Sequence, residues 1–349
     1  MEKSRREFLR DIAFYSSATY LATLGIQSFS TREAQASSTG KIDIGECKSV
    51  KIKAVSELGW WDNKTLIHDI MDHGGIHKSQ WEIPWTPKNA AGSCSLIEVT
   101  ALDGKKTRIL IDTGWNLDWM RKRFKEEGID RMLREHKIDY LYITHEHLDH
   151  YWGLEATLEN DPTINMLIPS TFYPEGLHFL QGAQYLLPHA KNLIPYKGKL
   201  AQMKPGKIHK LAPGVASVTF DFPIIVRIKG EQSLFFNVKD KGIVIVTGCC
   251  HRGILNLAEF ASKTFKNGDT LYGIYGGLHI DPFEKWTPKA QKVVKDLGKY
   301  NFKKIAANHC TGHKAIHQMI ALGYPVVRGS GKHGSKSKEY VGNGDTVVF

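Results

Sequence analysis

The sequence Thr144-His145-Glu146-His147-Leu148-Asp149-His150 decides how the 349-residue chain is interpreted. It concentrates histidines and carboxylates directly after the apolar run Tyr140-Leu141-Tyr142-Ile143, which predicts a buried strand over Asp139–Thr144. Alternate residues of a chain that leaves a strand project to the same side. The first two histidines of the stretch can therefore share one metal ion, and its last two residues can hold a second. Imidazole and carboxylate ligands suit zinc, iron, nickel or copper, so the ligand types leave the metal open.

Three further histidines follow predicted strands in the second half of the chain. Each also neighbours glycine, which lets the backbone approach a metal or a substrate closely. Any one of them alone is more often structural than a ligand. Together with the first stretch they supply enough ligands for two metal ions about 3.5–4 Å apart, which argues against the alternative of a solvated loop that is merely rich in histidine. The strands and their histidines are Ile243–Thr247 with His251, Leu271–Tyr275 with His279, and Lys304–Ala307 with His309.

The spacing of apolar residues predicts an α/β fold. A strand over Val50–Val55 and a hairpin that turns at Asp103-Gly104 precede an amphipathic helix over residues 118–136. The second half again has strands followed by helices, so we expect two packed sheets with helices outside. Further strands are predicted over Cys94–Thr100, Arg108–Ile111, Ser217–Phe222, Ser233–Val238 and Thr346–Val348, and further helices over residues 152–158, Gly253–Lys263, Pro288–Tyr300 and Lys314–Leu322.

The predicted catalytic domain spans residues 50–349, and other segments precede it. Residues 1–36 resemble a twin-arginine export signal, with Ser4-Arg5-Arg6-Glu7-Phe8-Leu9-Arg10, an apolar stretch and the cleavage site Ala34-Gln35-Ala36. We therefore expect the twin-arginine machinery to export the chain to the periplasm or out of the cell. The alternative is a cytoplasmic protein that begins with a frayed basic helix. The small polar residues 37–49 are typical of a linker. Residues 58–92 have no clear periodicity, so we interpret them as an insertion near the mouth of the site.

Composition and charge exclude several classes of protein. The formal net charge is +11, but Lys and Arg are spread along the chain without the interleaved aromatic residues of a nucleic-acid groove, so we expect no nucleic-acid partner. The excess charge favours a small anionic substrate, or it is a solubility feature. Beyond the signal no apolar run is long enough for a transmembrane segment. Five scattered cysteines exclude a disulfide scaffold, and Cys249-Cys250 is the pair of most interest.

The His-rich stretch resembles the metal-binding signature of the metallo-β-lactamase superfamily, and Asp112-Thr113-Gly114 resembles the aspartate turn that supports it. Three further motifs are similar to one branch, which includes synthases that join a dihydropterin to ribofuranosylaminobenzene phosphate. The resemblance covers roughly residues 50–349, with a poor match over 58–92, and it implies a four-layer αββα sandwich. The three motifs are Gly248-Cys249-Cys250-His251-Arg252-Gly253-Ile254, Gly276-Gly277-Leu278-His279 and His309-Cys310-Thr311-Gly312.

The resemblance implies a divalent metal centre with two ions, zinc being the first expectation and iron or manganese the alternatives. One ion would be held by His145, His147 and His251, and the other by Asp149, His150 and His309. Cys249 stands where many members have a bridging aspartate, and a thiolate can take that role. If Cys249 does not take that role, the expectation that two ions bind becomes weaker. His279 would be a further ligand or a substrate contact.

The leading functional hypothesis is a metal-dependent hydrolase in which a metal-activated water attacks an ester or phosphoester of a small anionic substrate. Asp149 would be the catalytic residue that orients this water or accepts its proton, whereas Glu146 is expected to face solvent. Arg252 and Lys314 would hold a phosphate or carboxylate, or lie on the surface for solubility. One alternative is a pterin-related transferase like the synthases of the similar branch. Another is an exported metal-binding or thiol redox module without turnover, which would use Cys249, Cys250 and Cys310.

Overall fold

A computed structural model describes residues 40–57, 63–86, 90–182, 185–187 and 190–349. The predicted export signal over residues 1–36 lies outside the described residues. The predicted linker over residues 37–49 is too long, because strand β1 already begins at Cys47 and Ile42 forms a bridge with Phe265. Ile44 is also buried against the core. Apolar side chains in this short polar segment thus fix it to the domain.

The first half of the chain builds one sheet and the helices that cover it. Strands β1 to β5 and β8 are hydrogen-bonded in chain order, and β3, β4, β5 and β8 run parallel to one another. The elements are β1 (Cys47–Ser56), α1 (Asn63–Met71), β2 (Cys94–Ala101), β3 (Lys106–Ile111), α2 (Leu117–Glu127), α3 (Ile129–Arg134), β4 (Tyr140–Tyr142), α4 (Leu148–Tyr151), α5 (Glu155–Leu158), β5 (Met166–Pro169), α6 (Pro174–Gln181), β6 (Tyr185–Leu187), β7 (Ala190–Lys191) and β8 (Leu200–Met203).

The second half builds a second sheet with its own helices. Strands β9, β10, β11 and β12 are antiparallel neighbours, and β12, β13 and β14 are parallel. The pairing of Cys47 with Val238 connects β1 of the first sheet to β11 of the second. The elements are β9 (Ile208–Ala212), β10 (Val215–Ile224), β11 (Ile228–Val238), β12 (Gly242–Thr247), α7 (Ile254–Thr264), β13 (Leu271–Gly277), α8 (Pro288–Leu297), β14 (Lys304–Asn308), α9 (His313–Ala321) and β15 (Thr346–Val348), which pairs with β1.

Three apolar clusters define the layers of the molecule. One cluster lies between the two sheets and includes Ile52 of β1 and Val244 of β12. A second joins the first sheet to its helices through residues such as Phe124 of α2. The third joins the second sheet to α7, α8 and α9, with Leu257 buried at its centre. Two sheets that bury one face against each other and the other face against helices form the expected four-layer αββα sandwich.

Two local predictions differ from the structure. The helix predicted over residues 118–136 is two helices, because Gly128 adopts a left-handed conformation (φ 70°) that ends α2 and redirects the chain into α3. The insertion over residues 58–92 is not simply a loop, since its described part contains α1 and a 3-10 turn over Gln80–Glu82. Within the described ranges, no helix has both the length and the apolar character that a membrane span requires.

Candidate metal centre

The sequence-predicted ligands meet at one edge of the sandwich. Parallel strands place their carboxyl ends along a common edge, and the chain turns into the site after β3, β4, β12, β13 and β14. Glu231 of β11 forms a bridge with His145 and so ties the two sheet edges together there. The residues delivered after these strands are Asp112, His145, Cys249, His279 and His309.

The first donor group consists of three imidazoles. The Nε2 of His145 lies 3.0 Å from Nδ1 of His147 and 3.3 Å from Nε2 of His251. These three atoms belong to a set of potential ligand atoms within 4.8 Å of one another. The two halves of the chain therefore each contribute to this group.

The second donor group combines a carboxylate with two imidazoles. Oδ2 of Asp149 lies 3.5 Å from Nε2 of His309, and Nε2 of His150 completes the set. The Cys249 Sγ lies 3.1 Å from Nε2 of His150 and is also grouped with His145. The thiol thus lies between the two groups, where a bridging ligand would be placed.

Protein acceptors fix the tautomer of four of these imidazoles. In each ring one nitrogen donates a hydrogen bond to the protein, which leaves the lone pair of the other nitrogen directed at the donor group. The bonds run from His145 Nδ1 to Thr144 Oγ1 (2.9 Å), from His147 Nε2 to the Ile225 carbonyl (3.2 Å), from His150 Nδ1 to Asp112 Oδ2 (2.6 Å) and from His309 Nδ1 to the Glu57 carbonyl (3.1 Å). This arrangement is the one that metal-binding histidines require.

The protonation of the donors also fits divalent ions. Burial lowers the pKa of both His147 and His309 to about 4, so both rings are neutral ligands near neutral pH. Burial opposes ionisation of Asp149, but the imidazoles of His150 and His309 outweigh it and lower the pKa of this carboxyl. Neutral nitrogen, ionised carboxylate and sulfur donors suit zinc and iron. The residues present therefore fit the implied pair of ions.

Glu231 supports the second half of the site, and no sequence motif indicated this residue. Its carboxylate accepts hydrogen bonds from the backbone amides of Cys249 (3.2 Å), Cys250 (2.8 Å) and His251 (2.6 Å). Burial raises the pKa of Glu231 to about 7. The role of this residue depends on the packing of β11 beside the loop after β12, which a pattern of alternating residues does not encode.

Gln80 supports the first half of the site and was also not predicted individually. Its Nε2 donates a 2.5 Å hydrogen bond to the Glu146 carbonyl, and its Oε1 accepts one of 2.9 Å from the Leu148 amide. These bonds hold the backbone on either side of His147. The predicted insertion therefore contacts the His-rich stretch directly through a side chain that is almost completely buried.

Other expectations for the site are corrected. Glu146 is buried beneath α6 and accepts a hydrogen bond from the Tyr173 amide, and burial raises its pKa to about 8. Cys250 packs into the apolar core, so only Cys249 of this pair faces the donors. Arg252 stacks on the Phe220 ring, and Lys314 donates to the Glu284 carbonyl. Neither is part of the cleft surface, where the lysine is Lys336.

His279 lies beside the first donor group. Its ring centroid is 4.3 Å from that of His251, and its ligand atom is grouped with those of Cys249 and His251. Desolvation lowers the pKa of His279 to about 3. In the described structure its Nδ1 has no hydrogen-bond partner. Both sequence-based roles, further ligand and substrate contact, are compatible with this position.

His147, Asp149, Cys249, His251 and His309 of the donor groups form the floor of an open cleft. The described part of the insertion supplies one wall, and the loop after His279 together with α9 supplies the opposite wall. The cleft is therefore apolar on its sides and polar on its floor, as is usual for sites that bind small molecules. The apolar lining residues are Leu66, Ile70, Trp85, Ile225, Val226, Phe283 and Ile316, and the lining also includes the exposed Lys336 and the buried Glu57 and Tyr340.

Comparisons with known proteins agree with this geometry. Residues 89–211 match the model of the metallo-beta-lactamase superfamily. The chain is 24% identical over 307 residues to a 7,8-dihydropterin-6-methyl-4-(beta-D-ribofuranosyl)-aminobenzene-5'-phosphate synthase from Methanocaldococcus jannaschii, covering 80% of this chain and 93% of the relative. It is 28% identical over 248 residues to an uncharacterized protein of the same organism, covering 66% of this chain and 88% of that relative.

A solved structure has the same fold. It is described as a metal-dependent hydrolase of the beta-lactamase superfamily and aligns with a TM-score of 0.51 at 17% identity, covering 85% of this chain and 98% of that one. The family model that matches residues 89–211 and the solved structure both agree with the arrangement of the donor groups. The chain has the metallo-β-lactamase fold.

Proposed function

We propose that the protein is a metal-dependent hydrolase that cleaves an ester or phosphoester bond of a small anionic substrate. The observation that carries this proposal is the position of two adjacent donor groups on the floor of one open cleft, with Cys249 between them. Zinc is the preferred ion because nitrogen, sulfur and carboxylate donors are its usual ligands. Iron and manganese remain the alternatives.

The residues of the cleft divide the chemistry among them. When bound, a pair of divalent ions would lower the pKa of a coordinated water and stabilise negative charge on the attacked group. Asp149, whose carboxyl is kept ionised by the neighbouring imidazoles, orients the attacking water and accepts its proton at a carboxylate oxygen. Lys336 at the rim attracts an anionic group of the substrate. His279 contacts the substrate through the ring that it presents beside the donors.

A pterin-related transferase is the second candidate function. Two observations favour it: the named synthase is matched over 93% of its own length, and aromatic side chains line the cleft. Flat heterocycles stack on aromatic rings, and the cleft lining includes Phe283, Trp85 and Tyr340. The transferase would use the same donor groups, so the substrate and the product distinguish the two functions.

The test begins with metal content, measured by elemental analysis on the purified full chain. The protein is then assayed against aryl esters, phosphodiesters and lactones, with and without chelator, and a parallel reaction is searched by mass spectrometry for the dihydropterin–ribofuranosylaminobenzene phosphate product. We expect metal-dependent cleavage that His251→Ala abolishes and that His317→Ala, an exposed histidine outside the cleft, leaves intact. Formation of the dihydropterin–ribofuranosylaminobenzene phosphate product, without cleavage of any ester, phosphodiester or lactone, would contradict the hydrolase and favour the transferase.

We also propose that residues 1–36 export the chain through the twin-arginine machinery. The supporting observation is the sequence Ser4-Arg5-Arg6-Glu7-Phe8-Leu9-Arg10. Replacement of both arginines by lysine preserves the charge but removes the paired guanidinium groups. We expect this variant to stay with the cytoplasmic fraction while the original chain is found in the periplasm. Equal distribution of the two proteins would contradict the proposal.

A further inference from the structure

Cys310 reaches the metal centre although it is adjacent in sequence to a ligand. It follows His309 in the 3-10 turn over His309–Thr311 that succeeds β14. His309 is in the left-handed region (φ 49°), an unusual conformation for a non-glycine residue. The turn brings both consecutive side chains to the cleft, where the Cys310 Sγ, the Cys249 Sγ and a ring nitrogen of His309 lie within 4.8 Å of one another.

The neighbouring backbone leaves room for this sulfur. A Cβ added to Gly277 would come within 2.6 Å of the Cys310 Sγ, so glycine is needed at this place for the thiol to occupy its position. The Cys310 Sγ also lies 3.5 Å from the Cys249 carbonyl. Both thiols are free of disulfide bonds and both line the cleft. Two sulfurs beside one imidazole form a donor set that thiophilic ions prefer.

We propose that Cys310 is a metal ligand that acts with Cys249 and His309. The inference rests on the metal-dependent function proposed above and specifies the class of ion, since two thiolates favour zinc, cobalt or iron over manganese. On binding, each thiol exchanges its S–H bond for a sulfur–metal bond, and the proton passes to solvent. The oxidation states of sulfur and metal do not change.

The chain supplies a matched control for this proposal. Cys250 lies next to Cys249 in sequence, but its side chain packs among the apolar residues of the second sheet and its helices. It does not belong to any donor group found among the described residues. A substitution at Cys250 therefore changes a buried thiol of the same loop without changing the proposed set of ligands.

The experiment loads the purified full chain with Co²⁺ under reducing conditions and measures the thiolate-to-cobalt charge-transfer absorption per bound ion. Because each coordinated thiolate contributes to this absorption, Cys310→Ser and Cys249→Ser should each lose about half of it. The double variant should lose it completely, and Cys250→Ser should keep it. Cobalt content and thermal melting are measured for every variant, so that a loss of binding or of folding is recognised.

A second measurement on the unsubstituted protein does not depend on how any variant folds. Alkylation of Cys310, followed by mass spectrometry, should be at least about tenfold slower with bound Zn²⁺ than without it, because a coordinated thiolate is withdrawn from reaction. Unchanged absorption in a folded Cys310→Ser protein, or equal alkylation rates, would overturn the role of Cys310 alone. Failure of every variant and of the original chain to bind cobalt or zinc would overturn the metal-dependent function as well.

Discussion

The Nδ1 of His150 donates a 2.6 Å hydrogen bond to Oδ2 of Asp112, and both side chains are completely buried. The other oxygen of this carboxylate accepts a hydrogen bond from the Thr144 amide. Burial raises the pKa of Asp112, although its bonds to His150 and Thr144 act in the opposite direction. The aspartate therefore orients a proposed ligand and at the same time holds the start of the His-rich stretch.

Replacement of Asp112 by asparagine should weaken metal binding. The amide has nearly the same volume but places a donor or a neutral acceptor where His150 needs a carboxylate, and loss of such an outer partner typically costs about 10–100-fold in metal affinity. Chelator competition measures this change. Asp161→Asn is the control, because Asp161 contacts His136 away from the cleft. An unchanged affinity in the Asp112 variant would contradict the orienting role.

Gln80→Leu should destabilise the protein and loosen the first donor group. The substitution leaves the Glu146 carbonyl and the Leu148 amide without the partners that they have in the structure. A buried unsatisfied polar group costs about 1–3 kcal/mol, which urea unfolding can measure. The exposed Gln181 provides the control, and Gln181→Leu should change the free energy of unfolding by less than about 0.5 kcal/mol. Equal effects of the two substitutions would show that Gln80 has no special role.

Glu127 should stabilise the fold in a pH-dependent manner. It accepts hydrogen bonds from the fully buried Arg123 and from Lys53. Burial acts to raise its pKa, but these cations outweigh it and hold the pKa below 4.5. Since the folded pKa is lower than the unfolded value, the stabilisation is present above pH 4.5 and is lost as the pH falls through the folded pKa.

The corresponding variant is Glu127→Gln, which keeps the shape and removes the charge. Near neutral pH it should reduce the free energy of unfolding by about 2 kcal/mol, in the range for hydrogen bonds to charged groups. Urea unfolding at successively lower pH should show the difference from the original protein shrinking below about pH 4. A difference that stays constant over this range would assign the effect to packing.

Removal of metal should lower the melting temperature of the protein. An ion that binds only the folded state adds about 2.7 kcal/mol of stability at a concentration 100 times its dissociation constant. Thermal melting before and after chelation, and after zinc is restored, measures this contribution. His147→Ala should abolish most of the zinc-dependent shift, whereas His317→Ala should preserve it, because His317 is outside the donor groups. Identical melting curves with and without zinc would argue against a folded-state site.

The convergence of the proposed ligands was predictable because they combine a local motif with strand ends. Each proposed ligand follows a strand whose apolar run is visible in sequence, and parallel strands bring their carboxyl ends together. Gln80 and Glu231 were not predictable because each acts from a distant element and forms its bonds only after the layers pack. Glu146 was placed wrongly because local alternation does not reveal that α6 later covers it.

The helix predicted over residues 118–136 illustrates a different limit. Its apolar positions Met120, Phe124, Ile129 and Leu133 keep an approximate helical spacing, and only the five-residue step across Gly128 departs from it. The left-handed conformation of this glycine decides the outcome, because the resulting turn lets α2 and α3 pack separately against the first sheet. The end of α2 thus depended on the backbone conformation of one glycine, which the spacing of apolar residues does not specify.

The proposed ligands extend from His145 to Cys310, and each of the two donor groups described first combines residues of both halves of the chain. Capture of the ions must therefore come late, after both sheets have docked, since long-range contacts form only when the intervening chain has been ordered. The identity of the metal would then reflect the surroundings in which folding finishes. If the protein is refolded in the presence of competing ions, elemental analysis of the product should show which of them it bound.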